Sequence, residues 1–112
     1  MHAMAPTETE SIVHLAEPRP GDIRVETVLA ALSDPVRLFI VRALAASDDE
    51  SRSCGSFGLS VSKSTASHHF RVLREAGVIR QHDEGRRRMT ELRRSDIDAR
   101  FPGLLDSIIA AV

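Results

Sequence analysis

The chain has 112 residues, which is enough for one domain and too few for two independent cores. Its 42% hydrophobic and 28% charged residues are typical of a folded protein, and four Phe with no Tyr or Trp require a mainly aliphatic core. No apolar run approaches the roughly 18 residues of a membrane span, and residues 1–9 lack the features of a signal peptide. The single cysteine cannot form an internal disulfide. These features predict a single-domain cytoplasmic protein.

The net charge of −1 conceals two oppositely charged segments. Residues 1–34 hold six acidic residues against two arginines, whereas residues 63–94 hold nine basic residues against four acidic ones, a balance of +5. Such a basic stretch is typical of a surface that binds a polyanion such as nucleic acid, although solvated arginines also serve solubility. Charge alone leaves both interpretations open, so the decision depends on the architecture.

The N-terminal segment and the remainder of the chain differ in pattern. Residues 1–22 contain three prolines and little apolar periodicity, which predicts an arm, with Ile12, Val13 and Leu15 as an apolar docking patch. Residues 23–112 hold the regular patterns. We therefore expect this second segment to form the folded domain.

Two helices are predicted at the start of that domain, over residues 25–32 and 35–46. Apolar residues recur at helical spacing in the first of them. Ser33 or Asp34 can cap the second helix, and Pro35 suits a first turn because its missing N–H is not needed there. Apolar residues surround the second helix, so we expect it to be buried on more than one side.

A third helix is the most clearly delimited element of the sequence. Residues 47–53 read as a polar connection, and residues 54–59 support only one short helical turn. Ser62 is a good N-cap for a helix over residues 63–76, and Gly77 follows where a left-handed C-terminal cap is common.

A β-hairpin follows this helix. Residues 78–82 and 87–92 have the pattern of two strands, and the predicted tight turn lies at 83–85. Helices followed by a basic hairpin give the element order of a winged helix-turn-helix. The predicted fold is therefore mainly α with a small β-hairpin, the wing.

The end of the chain is apolar. Residues 95–112 begin with Ser95 as a predicted N-cap, are interrupted at Pro102 and Gly103, and finish with several large aliphatic side chains. This pattern predicts a terminal helix with an apolar face that needs a partner surface.

The helix over residues 63–76 has two chemically different faces. One arc of its helical wheel is mainly apolar, and it holds Ala66, His69, Phe70, Leu73 and Ala76. The opposite arc is polar, and it holds Ser64, Ser67, His68 and Arg71. Such a division suits a recognition helix that presents hydroxyl, imidazole and guanidinium groups to the major groove. The amides of Lys63, Ser64 and Thr65 at the helix N-terminus also favour a phosphate.

The arginine run at 86–88 follows the predicted turn, at the tip of the wing. Arginines there can follow phosphates or enter the minor groove, which gives salt-dependent affinity with little sequence selection. Solubility is the plain alternative for this run. The predicted DNA-binding residues are Ser62, Lys63, Ser64, Thr65, Ser67, His68, Arg71, Arg74, Arg86, Arg87 and Arg88.

The two adjacent histidines of the helix have different predicted roles. His69 lies on the packing face, where a structural role is favoured over DNA contact, and His68 faces outward. Neighbouring helical residues point about 100° apart, so this pair lacks the i, i+4 spacing of a metal site. No metal site and no cofactor are predicted.

Two motifs in this order resemble the ArsR/SmtB-like winged helix-turn-helix transcriptional regulators, over roughly residues 25–112. They are Ala31-Leu32-Ser33-Asp34-Pro35-Val36-Arg37-Leu38 and Ser64-Thr65-Ala66-Ser67-His68-His69-Phe70-Arg71-Val72-Leu73-Arg74-Glu75-Ala76-Gly77-Val78-Ile79. The resemblance implies a homodimer that binds a near-palindromic DNA operator, typically as a repressor, and releases it when an inducer binds. The first and last helices would form the dimer interface, through Val25, Val28, Leu29, Leu104, Leu105, Ile108 and Ile109. The arm over residues 1–22 would be either mobile or docked on that dimer.

The chain departs from the metal sensors of this family. It offers one thiol, Cys54, where those sensors carry a Cys-x-Cys type site, and its last segment contains no histidine. A closed metal site needs about four ligands, so the inducer is expected to be a small organic molecule or to be absent. Two alternatives stay open: a thiol- or metal-responsive sensor using Cys54, and a winged-helix module that binds only proteins. An enzyme is not expected, because no nucleophile, base and orienting group converge.

Overall fold

The computed structural model describes residues 12–47 and 51–111, with the backbone alone described at 12–14. Its helices are α1 (Val25–Leu32), α2 (Pro35–Ala46), α3 (Lys63–Glu75), α4 (Arg94–Arg100) and α5 (Leu104–Ala110). Its strands are β1 (Ile12–His14), β2 (Arg52–Ser53), β3 (Ile79–Glu84) and β4 (Arg87–Leu92), and 3-10 turns lie at Pro20–Asp22 and Cys54–Phe57. Within these ranges, each helix is too short or too polar to cross a bilayer.

Side-chain caps fix where α2 and α3 begin. Asp34 caps α2, since its carboxylate accepts hydrogen bonds from the backbone N–H groups of Val36 at 2.8 Å and Arg37 at 3.2 Å. The Ser62 hydroxyl accepts the backbone N–H of Thr65 at 3.1 Å and caps α3. The predicted bounds of α1 and α2 are confirmed, and α3 ends one residue before its predicted end.

The four strands form one antiparallel sheet in the order β1-β3-β4-β2. The hairpin of β3 and β4 closes through Gly85 and Arg86, with Glu84 paired to Arg87. The turn therefore lies at residues 85–86, and the prediction of a turn at 83–85 is wrong for Asp83 and Glu84, which belong to β3. Asp83 continues β3 because it pairs across the sheet with Arg88, and Gly85, at φ +60°, supplies the left-handed residue of the turn.

Two short strands at the sheet edges were not predicted. β2 lies in the segment predicted as a polar connection, and it pairs with Met89 and Thr90 of β4. β1 lies in the predicted arm and pairs with residues 82–84 of β3. The described part of the predicted arm, residues 12–22, thus packs against the folded domain of the same chain. The rest of the predicted arm, residues 1–11, lies outside the described residues.

The N-terminus of α4 also differs from its prediction. Ser95 is an exposed residue inside the helix, so its predicted role as N-cap is wrong. The helix begins at Arg94, because the backbone N–H of Ile97 already donates to the carbonyl of Arg93 at 3.0 Å. Arg93 is itself held in place, since its Nε donates to Asp96 at 2.9 Å and its Nη1 to the carbonyl of Pro18 at 2.8 Å.

The hydrophobic core lies between the helices and one face of the hairpin, and it is almost wholly aliphatic, as expected. Its most deeply buried side chains are Ile23, Val28, Ile40, Val41, Leu73, Val78, Ile79, Ile97 and Leu105. Gly77 is needed where α3 meets this core. It has φ +85°, and a Cβ there would lie 2.6 Å from the Ile23 side chain. The close approach joins the recognition helix to the segment that precedes α1.

Candidate nucleic-acid interface

The polar face of α3 is exposed along its N-terminal half. Lys63, Ser64, Thr65, Ser67, His68 and Arg71 are all solvent-exposed, as is the capping Ser62. On the other face His69, Phe70 and Leu73 are buried, and Ala66 is half-buried. The two faces predicted for this helix are confirmed, because the buried side chains anchor the helix while the exposed ones remain available to a partner.

The N-terminus of α3 offers fewer free donors than the sequence predicts. The amide of Thr65 is already used by the Ser62 hydroxyl, which in turn donates to the Thr65 hydroxyl at 2.9 Å. The amides of Lys63 and Ser64 precede the first intrahelical bond, which is made by Ala66 to the carbonyl of Ser62. A phosphate at this end would therefore meet two backbone amides and the positive end of a 13-residue helix.

The wing presents its three arginines differently. Arg86 and Arg87 are exposed, and within the described part of the chain their guanidinium groups make no ion pair or hydrogen bond. Arg88 binds Asp83 in a bidentate pair, with Nε and Nη2 at 2.7 and 3.0 Å from the two carboxylate oxygens. The hydrogen bond from Arg88 lowers the pKa of Asp83, and the same bond raises the pKa of Arg88. As far as the described part of the chain shows, Arg86 and Arg87 are thus available to a polyanion.

Arg74 was predicted to contact DNA, but its guanidinium is engaged within the chain. Its Nε donates to the carbonyl of Ala16 at 3.1 Å, and its Nη1 donates to Oε1 of Gln81 at 2.8 Å. The side chain therefore ties the recognition helix to the segment after β1 and to the wing. Sequence reasoning could not place it, because Ala16 lies 58 residues away along the chain.

His69 belongs to a polar contact that the sequence analysis did not identify. Its Nδ1 lies 3.2 Å from Nη1 of Arg37 and 3.9 Å from the carboxylate of Asp34, while Nε of Arg37 donates to the carbonyl of Ala31 at 2.6 Å. An arginine can only donate, so the histidine Nδ1 is the acceptor in this contact. Burial raises the pKa of Asp34, but the hydrogen bonds from the amides of Arg37 and Val36, together with nearby charges, lower it overall. The contact fixes α3 against the junction of α1 and α2.

Cys54, the candidate sensor residue, is half-buried beside the sheet. Its sulfur lies 3.3 Å from the hydroxyl of Thr90 and accepts a hydrogen bond from Nε2 of Gln81 at 3.2 Å. Burial raises the pKa of the Cys54 thiol. Because the thiolate is the reactive form, this environment argues against the thiol-sensor alternative.

The predicted dimer residues divide by exposure. Val28 and Leu105 are fully buried within their own chain, so their side chains have no surface to offer a second copy. Val25 and Leu29 on α1 are 38% and 46% exposed. Three residues of α5 remain half-buried, namely Leu104, Ile108 and Ile109. The apolar surface available to a partner is therefore smaller than the sequence predicts.

These elements define a winged helix-turn-helix: a capped recognition helix with an exposed polar face, followed by an antiparallel hairpin with arginines at its tip. A family model described as a helix-turn-helix domain matches residues 32–82, from the end of α1 into β3. The chain is also 39% identical over 83 residues to the uncharacterized HTH-type transcriptional regulator YceK of Bacillus subtilis (strain 168), covering 72% of this chain and 82% of the relative. The chain belongs to the helix-turn-helix family of transcriptional regulators.

Proposed function

We propose that this chain is a DNA-binding transcriptional regulator of the ArsR/SmtB type, which binds a near-palindromic operator as a homodimer and acts as a repressor. The observation that carries the proposal is that exposed polar and cationic groups lie on α3 and on the hairpin that follows it. The exposed half of α3 supplies Ser64, Ser67 and Arg71, and the hairpin tip supplies Arg86 and Arg87.

The two groups have different tasks in this proposal. Side chains of a helix in the major groove select bases, while arginines on a wing hold phosphates and give affinity without selection. Ser67, His68 and Arg71 are suited to the first task because they project from the exposed side of α3. Arg86 and Arg87 are suited to the second because their charges are not neutralised by described neighbours.

A homodimer is supported by the apolar residues that one chain leaves uncovered. Val25 and Leu29 on α1, together with Ile108 on α5, would be buried if two copies met through these helices. A two-fold dimer would present two recognition helices to half-sites about one helical turn apart, which explains why a near-palindrome is expected. Catalysis forms no part of the proposal.

The experiment that tests this function begins with purified full-length protein and fragments of its source genome. Bound fragments are selected and sequenced, and affinity for the enriched duplex is then measured at two salt concentrations. We expect an enriched near-palindrome and affinity that falls steeply with salt, since each neutralised phosphate releases counterions. A protein-interaction module would show neither enrichment nor salt-dependent duplex binding.

The mass of the protein in solution tests the proposed homodimer. Sedimentation of the protein alone should give a dimer, and Leu29→Glu should shift it toward monomer because the exposed apolar contact would be replaced by a charge. Thr27→Glu is the matched control, since it places the same charge at another exposed position of α1. A dimer that survives Leu29→Glu would contradict an interface through α1.

A further inference from the structure

A cavity of about 570 Å³ lies between α3, the hairpin and the 3-10 turn at Cys54–Phe57. This volume is within the range of small-molecule sites in proteins, about 300 to 1,000 Å³. Its apolar wall includes Leu59, Ala66 and Phe70. Phe70 is itself buried in the core, so this wall is fixed by the packing of α3 rather than by mobile surface groups.

The charges around the cavity are not balanced. Four basic side chains line it against one acid, Asp83. Arg88 is neutralised by that acid, and Arg74 is held by Gln81 and the carbonyl of Ala16. The side chains of Lys63 and Arg86 make no ion pair or hydrogen bond within the described residues. Among the described residues, these two cations thus remain to attract an anion.

The buried polar side chain on the cavity wall is already satisfied. Gln81 is fully buried, its Oε1 accepts from Arg74, and its Nε2 donates to Thr90 at 3.0 Å and to Cys54 at 3.2 Å. A ligand hydroxyl group beside Gln81 would therefore meet atoms whose hydrogen bonds are already made, whereas an apolar group could contact Phe70 and Leu59 without the loss of a hydrogen bond. The wall favours an apolar body, and the free cations favour an acid group.

We propose that this cavity binds a small amphipathic organic anion, an aromatic or branched carboxylate or sulfonate, and that this ligand and DNA exclude each other. The second part rests on the proposed function. Lys63, Ser67 and Arg86 line the cavity and also belong to the surface proposed for DNA. A carboxylate or sulfonate held between Lys63 and Arg86 would cancel one positive charge of that surface and occupy both side chains. By linkage, bound DNA would weaken the binding of the anion by the same factor.

The test uses the full chain and the fluorescent aromatic sulfonate 8-anilinonaphthalene-1-sulfonate, titrated in the absence of DNA. We expect saturable binding of one probe per chain. Lys63→Glu should weaken probe binding at least fivefold, because it replaces a positive charge of the cavity with a negative one. The fold should be preserved, since an acidic residue is favourable in the first turn of a helix. Ala66→Leu, which fills the apolar wall, should remove probe binding. Circular dichroism and urea unfolding verify that both variants are folded.

Two controls separate this cavity from other sources of probe binding. Phe39 is 50% exposed and lines a neighbouring cavity that shares Leu59 with this one, but it does not line this cavity itself, so Phe39→Ser should leave the affinity unchanged. Inorganic phosphate at matched ionic strength should not displace the probe, because it has no apolar body. Binding that survives both Lys63→Glu and Ala66→Leu, or that phosphate alone displaces, would overturn the assignment.

Competition with the enriched duplex tests mutual exclusion. Saturating probe should raise the apparent Kd for the duplex at least fivefold, and added duplex should release the probe. A protein that binds the duplex and not the probe would overturn the cavity proposal and leave the proposed function intact. A protein that binds the probe and no duplex would support the cavity site and overturn the proposed function. Simultaneous binding of both at unchanged affinities would overturn exclusion.

Discussion

Two sets of basic side chains lie on α3 and the hairpin, and they have opposite surroundings. Lys63, Arg86 and Arg87 are exposed and free of described ion-pair partners. The second set is engaged within the chain: Arg74 with Ala16 and Gln81, Arg80 with Glu17, Glu91 and Asp96, and Arg93 with Pro18 and Asp96. The engaged arginines thus anchor residues 16–18 of the N-terminal segment, whereas the exposed cations leave their charges available to a polyanion. Local charge in a sequence does not by itself measure the charge offered to DNA.

The largest effect should come from the buried member of the anchoring set. Arg93→Ala would remove a side chain that is 1% exposed and leave the carbonyl of Pro18 without its donor. Breaking a buried ion pair costs about 3 kcal/mol, to be measured as the free energy of unfolding in urea. Arg94→Ala is the matched control, because its pair with Asp106 is exposed and should be worth less than about 1 kcal/mol. Equal losses in the two variants would contradict the distinction between anchoring and exposed arginines.

Gly77→Ala tests how closely the segment before α1 must approach the recognition helix. The substitution combines φ +85° with a Cβ 2.6 Å from the Ile23 side chain, and it should lower the free energy of unfolding by about 2 kcal/mol or more. Gly55→Ala is the control, since nothing lies within 4 Å of its Cβ position and its φ is not left-handed. A near-neutral Gly77→Ala would show that Ile23 and the backbone can shift at little cost.

The free set should control how DNA binding depends on salt. Arg87→Gln should weaken binding to all sequences by about 1 kcal/mol and lower the slope of log K against log salt by about one. The double variant Asp83→Asn with Arg88→Gln removes a neutralised pair without changing the net charge, so its slope should match the wild type. If the double variant lost as much slope as Arg87→Gln, Arg88 would have to be counted among the phosphate contacts.

The smallest effect concerns the pH dependence of the pair at the wing. The pKa of Asp83 is lowered in the folded state from its ordinary 3.8, so the pair contributes stability above that value and loses it as the pH falls through the folded pKa. The pair is partly exposed, and the contribution should stay below about 1 kcal/mol. Asp83→Asn should therefore be slightly less stable than the wild type at pH 7, with the gap closing below about pH 4. A gap that widens in acid would have the wrong sign for this pair.

Local chemistry accounts for the elements that could be predicted. Asp34 with Pro35, and Ser62 with the following helix, determine helix starts within one turn, because a cap acts on amides two or three residues away. Ser95 shows the limit of this reasoning. It has the right side chain for a cap, but distant contacts of Arg93 with Pro18 place the helix start before it.

The two edge strands show a second limit. β2 has two residues and β1 has three, which is too short for a period-2 pattern to be recognised. Each exists because β3 and β4 leave a hydrogen-bonding edge open on either side of the hairpin. No feature of residues 12–14 or 52–53 alone specifies this pairing.

The sequence by itself determined the order of helices and hairpin, the amphipathic helix α3 and the helix-turn-helix class, since these depend on spacing and caps within a few residues. Only the tertiary structure decided which cations are free, because Arg74, Arg80 and Arg93 find partners 58, 63 and 75 residues away. It also decided that Val28 and Leu105 belong to the core of one chain. Periodicity shows which face of a helix is apolar, but what covers that face depends on packing between distant segments.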